Sequence, residues 1–460
     1  MTDRPAGPAP RGLSRVLGLA FGVAVVIGGM IGSGIMRAPG VVAQGIASPP
    51  FILLAWVAGG AVTMLAAMPV VEAGASVPMA GGPFPIAERA FGPTVGFLTG
   101  WVNWLAWVGA SAFVAVVFGE YVHRLGFAGG LSAGAIGCGL IAAVAVVNWL
   151  GTKVSGASQS LGSALKGAAF LLLAAVLFLS PRAPASAAAT HAAAIGAASG
   201  SALVMAVRVI FQTYAGWDAA IYFSEEVTRP DRNVSRSIFG GIAMVAVLYV
   251  LMNAAVLHVL TPAAIAGSAL AVGDAAKVSL GVAGDLAITA IGAMSLAAIA
   301  NLIVMIASRV TWRMARDGAL PPALGAVAKG GAPRRSVTLI AVVAMLFTAT
   351  GSYESLVRIS QPWITFSILM VCLSAIRLRI AEPDLERPWK MPLFPWIAIA
   401  AVLAQAGLIA LMVWDDPMSG LLSALLAIAP LPIYLVFAGR WRSAAQQAFS
   451  QPPKGEAAHG

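Results

Sequence analysis

The sequence predicts an all-α membrane protein of about twelve transmembrane helices, on three observations. Its 460 residues are 59% hydrophobic and only 10% charged, where ordinary soluble domains carry about 25% charged residues. Apolar segments of about 20 residues, the length that crosses a bilayer, recur along the chain. Lys and Arg concentrate in alternate loops, as the positive-inside bias requires.

The segments lie near 16–37, 51–71, 94–119, 130–150, 157–180, 202–224, 236–260, 281–308, 336–350, 360–378, 394–414 and 419–438. The apolar run from Val16 is too long for a cleaved signal, and no small-residue cleavage site ends it. Between the second and third segments, Gly81-Gly82-Pro83 forms a turn. The following Ile86-Ala87-Glu88-Arg89-Ala90-Phe91 reads as a short amphipathic helix on the membrane interface. The loop at 181–201 is rich in Ala, Pro, Ser and Gly. The expected layout is a tail at 1–15, a first set of five helices at 16–180, the loop 181–201 and a second set at 202–378. A further pair at 379–438 and a tail at 439–460 complete it.

With the N-terminus placed inside, twenty of the 28 Lys and Arg residues fall on the cytoplasmic side, and only Arg124, Arg182, Lys277 and Arg358 fall outside. A multi-pass protein of the cell membrane with both termini in the cytoplasm is expected. The net charge of +10 is thereby explained without a nucleic acid partner.

Several chemistries are excluded. Cys138 and Cys372 sit in apolar stretches, and His123, His191, His258 and His459 do not cluster. There is no zinc spacing, no phosphate-cradling Walker loop and no nucleophile elbow. No metal, cofactor or catalytic set is expected, so neither an enzyme nor an ATP-driven pump is indicated.

The first segment is interrupted. It carries Gly28, Gly29, Gly32 and Gly34, with Ser33 between two glycines. Gly28 and Gly32 alone would suit close helix packing. The added Gly34 argues for unwinding, since glycine is a poor helix former. Unwound backbone inside a membrane is tolerated only beside a cavity or a ligand. The positive end of the second half-helix would then face an anion such as a carboxylate. The sixth segment has a matching interruption over Gln212-Thr213-Tyr214-Ala215-Gly216. Breaks in segments one and six fit a five-plus-five inverted repeat with substrate between the broken helices.

Charges inside the segments add candidates. Lys166 sits well within the fifth, where a charge is costly and by default functional. The competing reading is that its long side chain snorkels to the surface. Arg37 and Arg208 lie on the outer halves of segments one and six. They either line a vestibule or gate, or anchor helix ends at headgroups. Asp218 follows the second break and serves either structure or substrate. Trp101, Trp104 and Trp107 recur at helical spacing and read as packing or an interface belt.

At these residues the chain resembles the amino acid–polyamine–organocation superfamily, and within it the bacterial permeases related to L-type amino acid transporters. The resemblance rests on Gly32-Ser33-Gly34-Ile35 with Pro39, on Glu72 to Pro93, and on Asn148-Trp149-Leu150-Gly151-Thr152-Lys153. It continues in Tyr214-Ala215-Gly216-Trp217-Asp218, Glu225-Glu226-Val227, Pro230-Asp231-Arg232-Asn233, Ser295, Asn301, Arg309 and Ala315-Arg316-Asp317-Gly318.

The resemblance implies ten helices in two inverted repeats plus two peripheral helices. It implies a secondary amino acid transporter working by alternating access. Backbone N–H groups at Gly32, Ser33 and Gly34, with the Ser33 hydroxyl, would hold the substrate carboxylate. Carbonyls near Met30, Gln212, Thr213 and Ala215, beside Gly216, would hold its ammonium. Lys166 would occupy the site that sodium takes in sodium-coupled relatives, bridging the first break and the eighth helix near Ser295. Coupling to sodium is therefore not expected, which leaves exchange, proton coupling or facilitated diffusion. Relatives carry an aromatic gate where this chain has Gln212, which favours a small or polar amino acid. No extracellular cysteine is present, so no disulfide-linked subunit is expected. The alternatives are a polyamine or organic-cation carrier, and an amino acid receptor that does not transport.

Overall fold

The computed structural model describes residues 13, 17–32, 34–127, 129–181, 200–268, 270–328, 330–350 and 353–450. Among these residues every long element is a helix. The first apolar segment is two helices, α1 (Leu19–Met30) and α2 (Gly34–Gly45), bent by 51°. Then come α3 (Pro49–Ser76), the short α4 (Pro83–Phe91), α5 (Pro93–Arg124), α6 (Ala133–Trp149) and α7 (Thr152–Leu179). In the second half, α8 (Gly200–Thr213) gives way to a 3-10 helix at Trp217–Phe223, followed by α9 (Pro230–Val259). Two short helices, α10 (Pro262–Ala266) and α11 (Ala271–Leu280), precede the 35-residue α12 (Val282–Arg316). The chain continues through α13 (Arg334–Thr350), α14 (Tyr353–Ala381), α15 (Trp396–Asp415), α16 (Pro417–Ile428) and α17 (Leu431–Ser450).

Helix boundaries follow the punctuation of the sequence. Proline occupies the first turn of α3, α4, α5, α9 and α16, where its missing N–H costs no helix bond. Ser132 and Asp416 cap α6 and α16 by accepting from Ala135 N at 3.2 Å and Ser419 N at 3.0 Å.

Among the described residues, eight helices are long and apolar enough to cross a membrane, nine with the bent α1–α2 pair. The shorter α6 and α13 and the broken α8 segment bring the apolar segments to the expected twelve. Burial sorts them into layers. The most apolar windows of α5 and α12 are 78% and 72% buried, and these two helices pack against each other at the centre. The last two spans are only 11% buried, so they face lipid at the periphery. Beyond residue 438, where a tail was expected, α17 stays helical to Ser450 and packs on the end of α12. There the Arg316 guanidinium lies over the rings of Trp312 and Phe449, 5.3 Å and 4.7 Å from their centroids.

The two breaks meet backbone to backbone. A Cβ on Gly29 would lie 2.6 Å from the Gly216 oxygen, and one on Gly216 would lie 2.7 Å from the Gly29 carbonyl. Gly216 also holds φ at +96°, in the left-handed region. No side chain fits either position.

At one end of the bundle, the basic face, discrete contacts tie neighbouring segments together. Leu17 pairs with the strand-like segment after the 3-10 helix, donating from its N to Glu226 O at 3.0 Å and accepting from Thr228 N at 2.8 Å. Glu72 is buried and accepts two bonds from Arg379 at 2.7 Å each, plus one from Met391 N at 2.6 Å. The amphipathic α4 lies against α5. Its Glu88 carboxyl is pushed from 4.5 up to about 7 by burial and by nearby Asp317, against the opposing pull of Arg442 and Arg313.

Two outcomes are expected. Gly216→Ala lowers the thermal unfolding midpoint in detergent by several degrees, since the forced φ alone costs about 1–3 kcal/mol; an unchanged midpoint would show that the breaks do not touch. The folded chain holds a proton on Glu88 that the unfolded chain has released, so stability falls as pH rises from about 4.5 to about 7. Glu88→Gln should raise the midpoint at pH 8 and leave it nearly unchanged at pH 4, which thermal scans at both values test.

Candidate functional site

At the first break the chain leaves α1 through Ile31, whose backbone is extended (φ −77°, ψ 99°), and re-enters a helix at Gly34. Ser33 lies outside the described residues. Unwinding strips carbonyls of their helical donors, and side chains from three other helices replace them. Lys166 of α7 is fully buried and does not run to the surface. Its ammonium donates to Gly28 O at 2.8 Å and Ile31 O at 2.6 Å. Ser295 of α12 donates to the same Ile31 oxygen at 3.0 Å. Tyr249 of α9 reaches Met30 O at 2.7 Å.

At the second break, α8 ends at Thr213 and Tyr214–Gly216 turn into the 3-10 helix. The Gln212 oxygen accepts from Ala215 N at 3.2 Å. The Thr213 oxygen lies 3.0 Å from the Tyr249 hydroxyl, so one side chain contacts both breaks. Gly34, Gln212 and Ala215 are exposed, while Gly32 and Gly216 are half-buried. The breaks thus present uncovered backbone alongside the positive end of α2. The start of α2 and the carbonyls that end α1 and α8 lie within one small region.

Not every charged candidate joins this region. Arg37 is exposed on α2, three residues beyond Gly34 and so on a neighbouring part of the same helix face. Arg208 is different. Thr213 of α8 meets Gly34, and Ala202 and Ala206 of α8 meet Gly45, which defines the face of α8 turned toward α2. Arg208 follows Ala206 by two residues, about 200° around the helix. The two arginines therefore do not share a wall. Asp218 is buried on the 3-10 helix and accepts from the Tyr222 hydroxyl at 3.4 Å; that hydroxyl in turn accepts from Asn103 of α5 at 2.9 Å. Thr99, Asn103, Trp107 and Ser111 recur along α5: the Asn103 Oδ1 and the Thr99 and Ser111 hydroxyls are buried with no bonded group among the described residues, and Trp107 stands edge-on to the Tyr222 ring at 5.5 Å. Their spacing of four places them on one helix face. Trp101 stacks on Trp104 at 5.0 Å and donates to Leu426 O at 3.1 Å, a packing role.

Three features went unread in the sequence. Tyr249 is an unremarkable tyrosine in an apolar helix. Arg309 and Glu226 form a buried two-pronged ion pair, at 2.9 Å and 3.2 Å, which locks the basic-face end of α12 to the segment after the 3-10 helix. Asn301 joins α6, α7 and α12 by accepting from Asn148 at 2.9 Å and donating to Gln159 at 3.1 Å. Arg309, Glu226, Asn301 and Asn148 stand in the motifs that carry the family resemblance, but their pairing with one another was not read from them.

Breaking the ion pair from one side leaves a buried charge. Arg309→Met is expected to cost about 3–5 kcal/mol. Arg309→Met combined with Glu226→Leu should recover most of that loss in chemical or thermal unfolding; a double variant no more stable than the single one would refute the pairing energetics.

The profile of the amino acid permease family matches residues 17–437. The chain is 29% identical to the b(0,+)-type amino acid transporter 1 of Mus musculus, covering 88% of this chain and 84% of that protein. It is 27% identical to the serine/threonine exchanger SteT of Bacillus subtilis (strain 168), over 92% and 97% of the two chains. It is also 26% identical to the cystine/glutamate transporter of Homo sapiens, over 94% and 87%.

Proposed function

The chain belongs to the amino acid permease family, and on that premise we propose that this multi-span amino acid transporter is a sodium-independent secondary carrier of the cell membrane. Its substrate carboxylate rests on the amides of the first break, at Gly32, Ser33 and Gly34. Its ammonium meets carbonyls of the two breaks, among them Met30, Thr213 and Ala215.

The observation that carries this reading is the Lys166 ammonium on the Gly28 and Ile31 carbonyls. A lysine amino group built into the protein at carbonyls freed by the break fills the place that a coupling ion takes in other carriers. Ser295 completes that site by donating to Ile31 O. Gln212 is exposed beside the break, and a polar residue there suits small or polar substrates better than large apolar ones. Serine and threonine, the substrates in the name of the Bacillus subtilis relative, are the first to test. At the basic face, read as cytoplasmic, the Leu17 and Glu226–Arg309 contacts tie segments together. Alternating access would release these contacts as a unit.

In proteoliposomes, labelled serine should exchange against internal serine at the same rate in sodium and in choline. Sodium-dependent uptake would sink the coupling claim, and absence of transport for every common amino acid would sink the carrier claim. Diamine uptake without amino acid uptake would favour the polyamine reading, and binding without flux the receptor reading. Lys166→Met should reduce exchange at least about tenfold, since it leaves the Gly28 carbonyl without its side-chain donor and the Ile31 carbonyl with Ser295 alone.

A further inference from the structure

Arg236 stands six residues into α9, about 9 Å along the axis from Pro230 at the basic face. It is exposed, and its guanidinium has no hydrogen-bond or ion-pair partner among the described residues. Beside it is a cavity of about 440 Å³, lined by Ser235, Arg236, Phe239, Gly240 and Trp389. Trp389 comes from the loop at 382–395 between α14 and α15, and its ring lies 5.1 Å from that of Phe239. Its indole N–H likewise has no hydrogen-bond partner among the described residues. The loop itself is fixed: Met391 N donates to buried Glu72 at 2.6 Å, and Arg387 donates to Leu378 O at 2.9 Å and Glu382 O at 2.8 Å. Both walls of the cavity are thus anchored to the bundle.

The face of α9 that carries Arg236 continues through Gly240, Met244, Val247 and Leu251, at spacings of three and four residues. Met244, Val247 and Leu251 are exposed, as a lipid-facing stripe requires. Nothing lies within 4 Å of a Cβ built on Gly240, so the stripe enters the cavity as an open furrow. Val247 is eleven residues beyond Arg236, about 17 Å along the axis. One leaflet's hydrocarbon is about 15 Å deep. A cation at headgroup depth, donors from arginine and indole, and an apolar furrow leading toward the midplane match one kind of molecule, a phospholipid. Arg229 and Arg232 at the start of α9, and Lys390 next to Trp389, are all exposed. They favour a net anionic headgroup over one that carries its own cation.

We propose that the cavity between α9 and the 382–395 loop binds an anionic phospholipid of the cytoplasmic leaflet. Its phosphate meets Arg236 and the Trp389 N–H, and an acyl chain lies along Gly240, Met244 and Val247. Seated there, the lipid bridges α9 to the loop that leads into the peripheral helices α15 and α16. The site does not depend on which solute the carrier moves.

Thermal unfolding of the purified full-length chain in mild detergent reads the binding, since a ligand of the folded state raises the midpoint. Phosphatidylglycerol is titrated against phosphatidylcholine with the same acyl chains, and against glycerol 1-phosphate. Phosphatidylglycerol should raise the midpoint saturably, at concentrations at least about tenfold below those phosphatidylcholine needs. Glycerol 1-phosphate should give no shift. Arg236→Gln should raise the half-saturating concentration of phosphatidylglycerol about tenfold. Gly240→Leu, which fills the furrow and leaves Arg236 in place, should do the same. Arg440→Gln, on α17, removes a charge elsewhere on the basic face and should stay within about twofold. Equal responses to the two lipids would overturn the anionic headgroup. A response to glycerol 1-phosphate equal to that of the lipid would mark a site for free phosphate esters and overturn the lipid assignment. A loss in Arg440→Gln as large as in Arg236→Gln would mark diffuse surface attraction and overturn the site, as would an unaltered Arg236→Gln. If Arg236→Gln does not accumulate, Gly240→Leu decides, and unchanged half-saturation there overturns the proposal.

Discussion

A carbonyl released from its helix inside a membrane has no water to bond, and this constraint organises the centre of the molecule. The carbonyls of Gly28, Met30, Ile31 and Thr213 are all affected. Side chains of three other helices answer them: Lys166 of α7 meets Gly28 and Ile31, Ser295 of α12 also meets Ile31, and the one Tyr249 hydroxyl of α9 is shared by Met30 and Thr213. The breaks are thus not loose points. They are where five helices are joined by hydrogen bonds. The backbone contact of Gly29 with Gly216 allows one tyrosine hydroxyl to reach both.

The same constraint is met unevenly across the bundle. Around Lys166 the polar groups are matched. Along α5 they are not: Thr99, Asn103 and Ser111 each bury a polar atom with no partner among the described residues, on the face that includes the Asn103 contact to Tyr222. Buried polar groups without partners are costly. Discrete contacts join segments at the basic face, among them Leu17 on Glu226 and Thr228, Arg309 on Glu226, and Arg379 on Glu72. Contacts of this type form or release as units, which suits a carrier more than a graded seal would.

Some residues announce themselves in sequence because their type conflicts with their surroundings. Glycines at 28, 29, 32 and 34 conflict with a spanning helix, and a lysine at 166 conflicts with lipid. Residues whose type agrees with their surroundings carry no such signal. Tyr249 is as ordinary in α9 as any aromatic, and only the fold brings it to Met30, 219 positions away. Arg208 shows the limit of charge as a signal, since the sequence left it either lining a vestibule or anchoring a helix end. Its charge drew attention, yet the face it occupies depends on which side of α8 is turned to α2. The helical extension to Ser450 was missed because residues 439–450 are polar enough to read as a tail; Phe449 gains its place only by packing at Arg316.

By itself the sequence determined the class of solvent, the number of apolar segments and the two places where helices cannot continue. Each follows from local composition: transfer of apolar side chains into lipid, and the poor helix propensity of glycine. Only the tertiary structure decided which donors answer the freed carbonyls, that the two breaks touch through Gly29 and Gly216, and that Glu226 is the partner of Arg309. These are pairings between residues up to 264 positions apart. Hydrogen bonds and ion pairs depend on distances of about 3 Å, and such distances between remote residues exist only once the helices have packed.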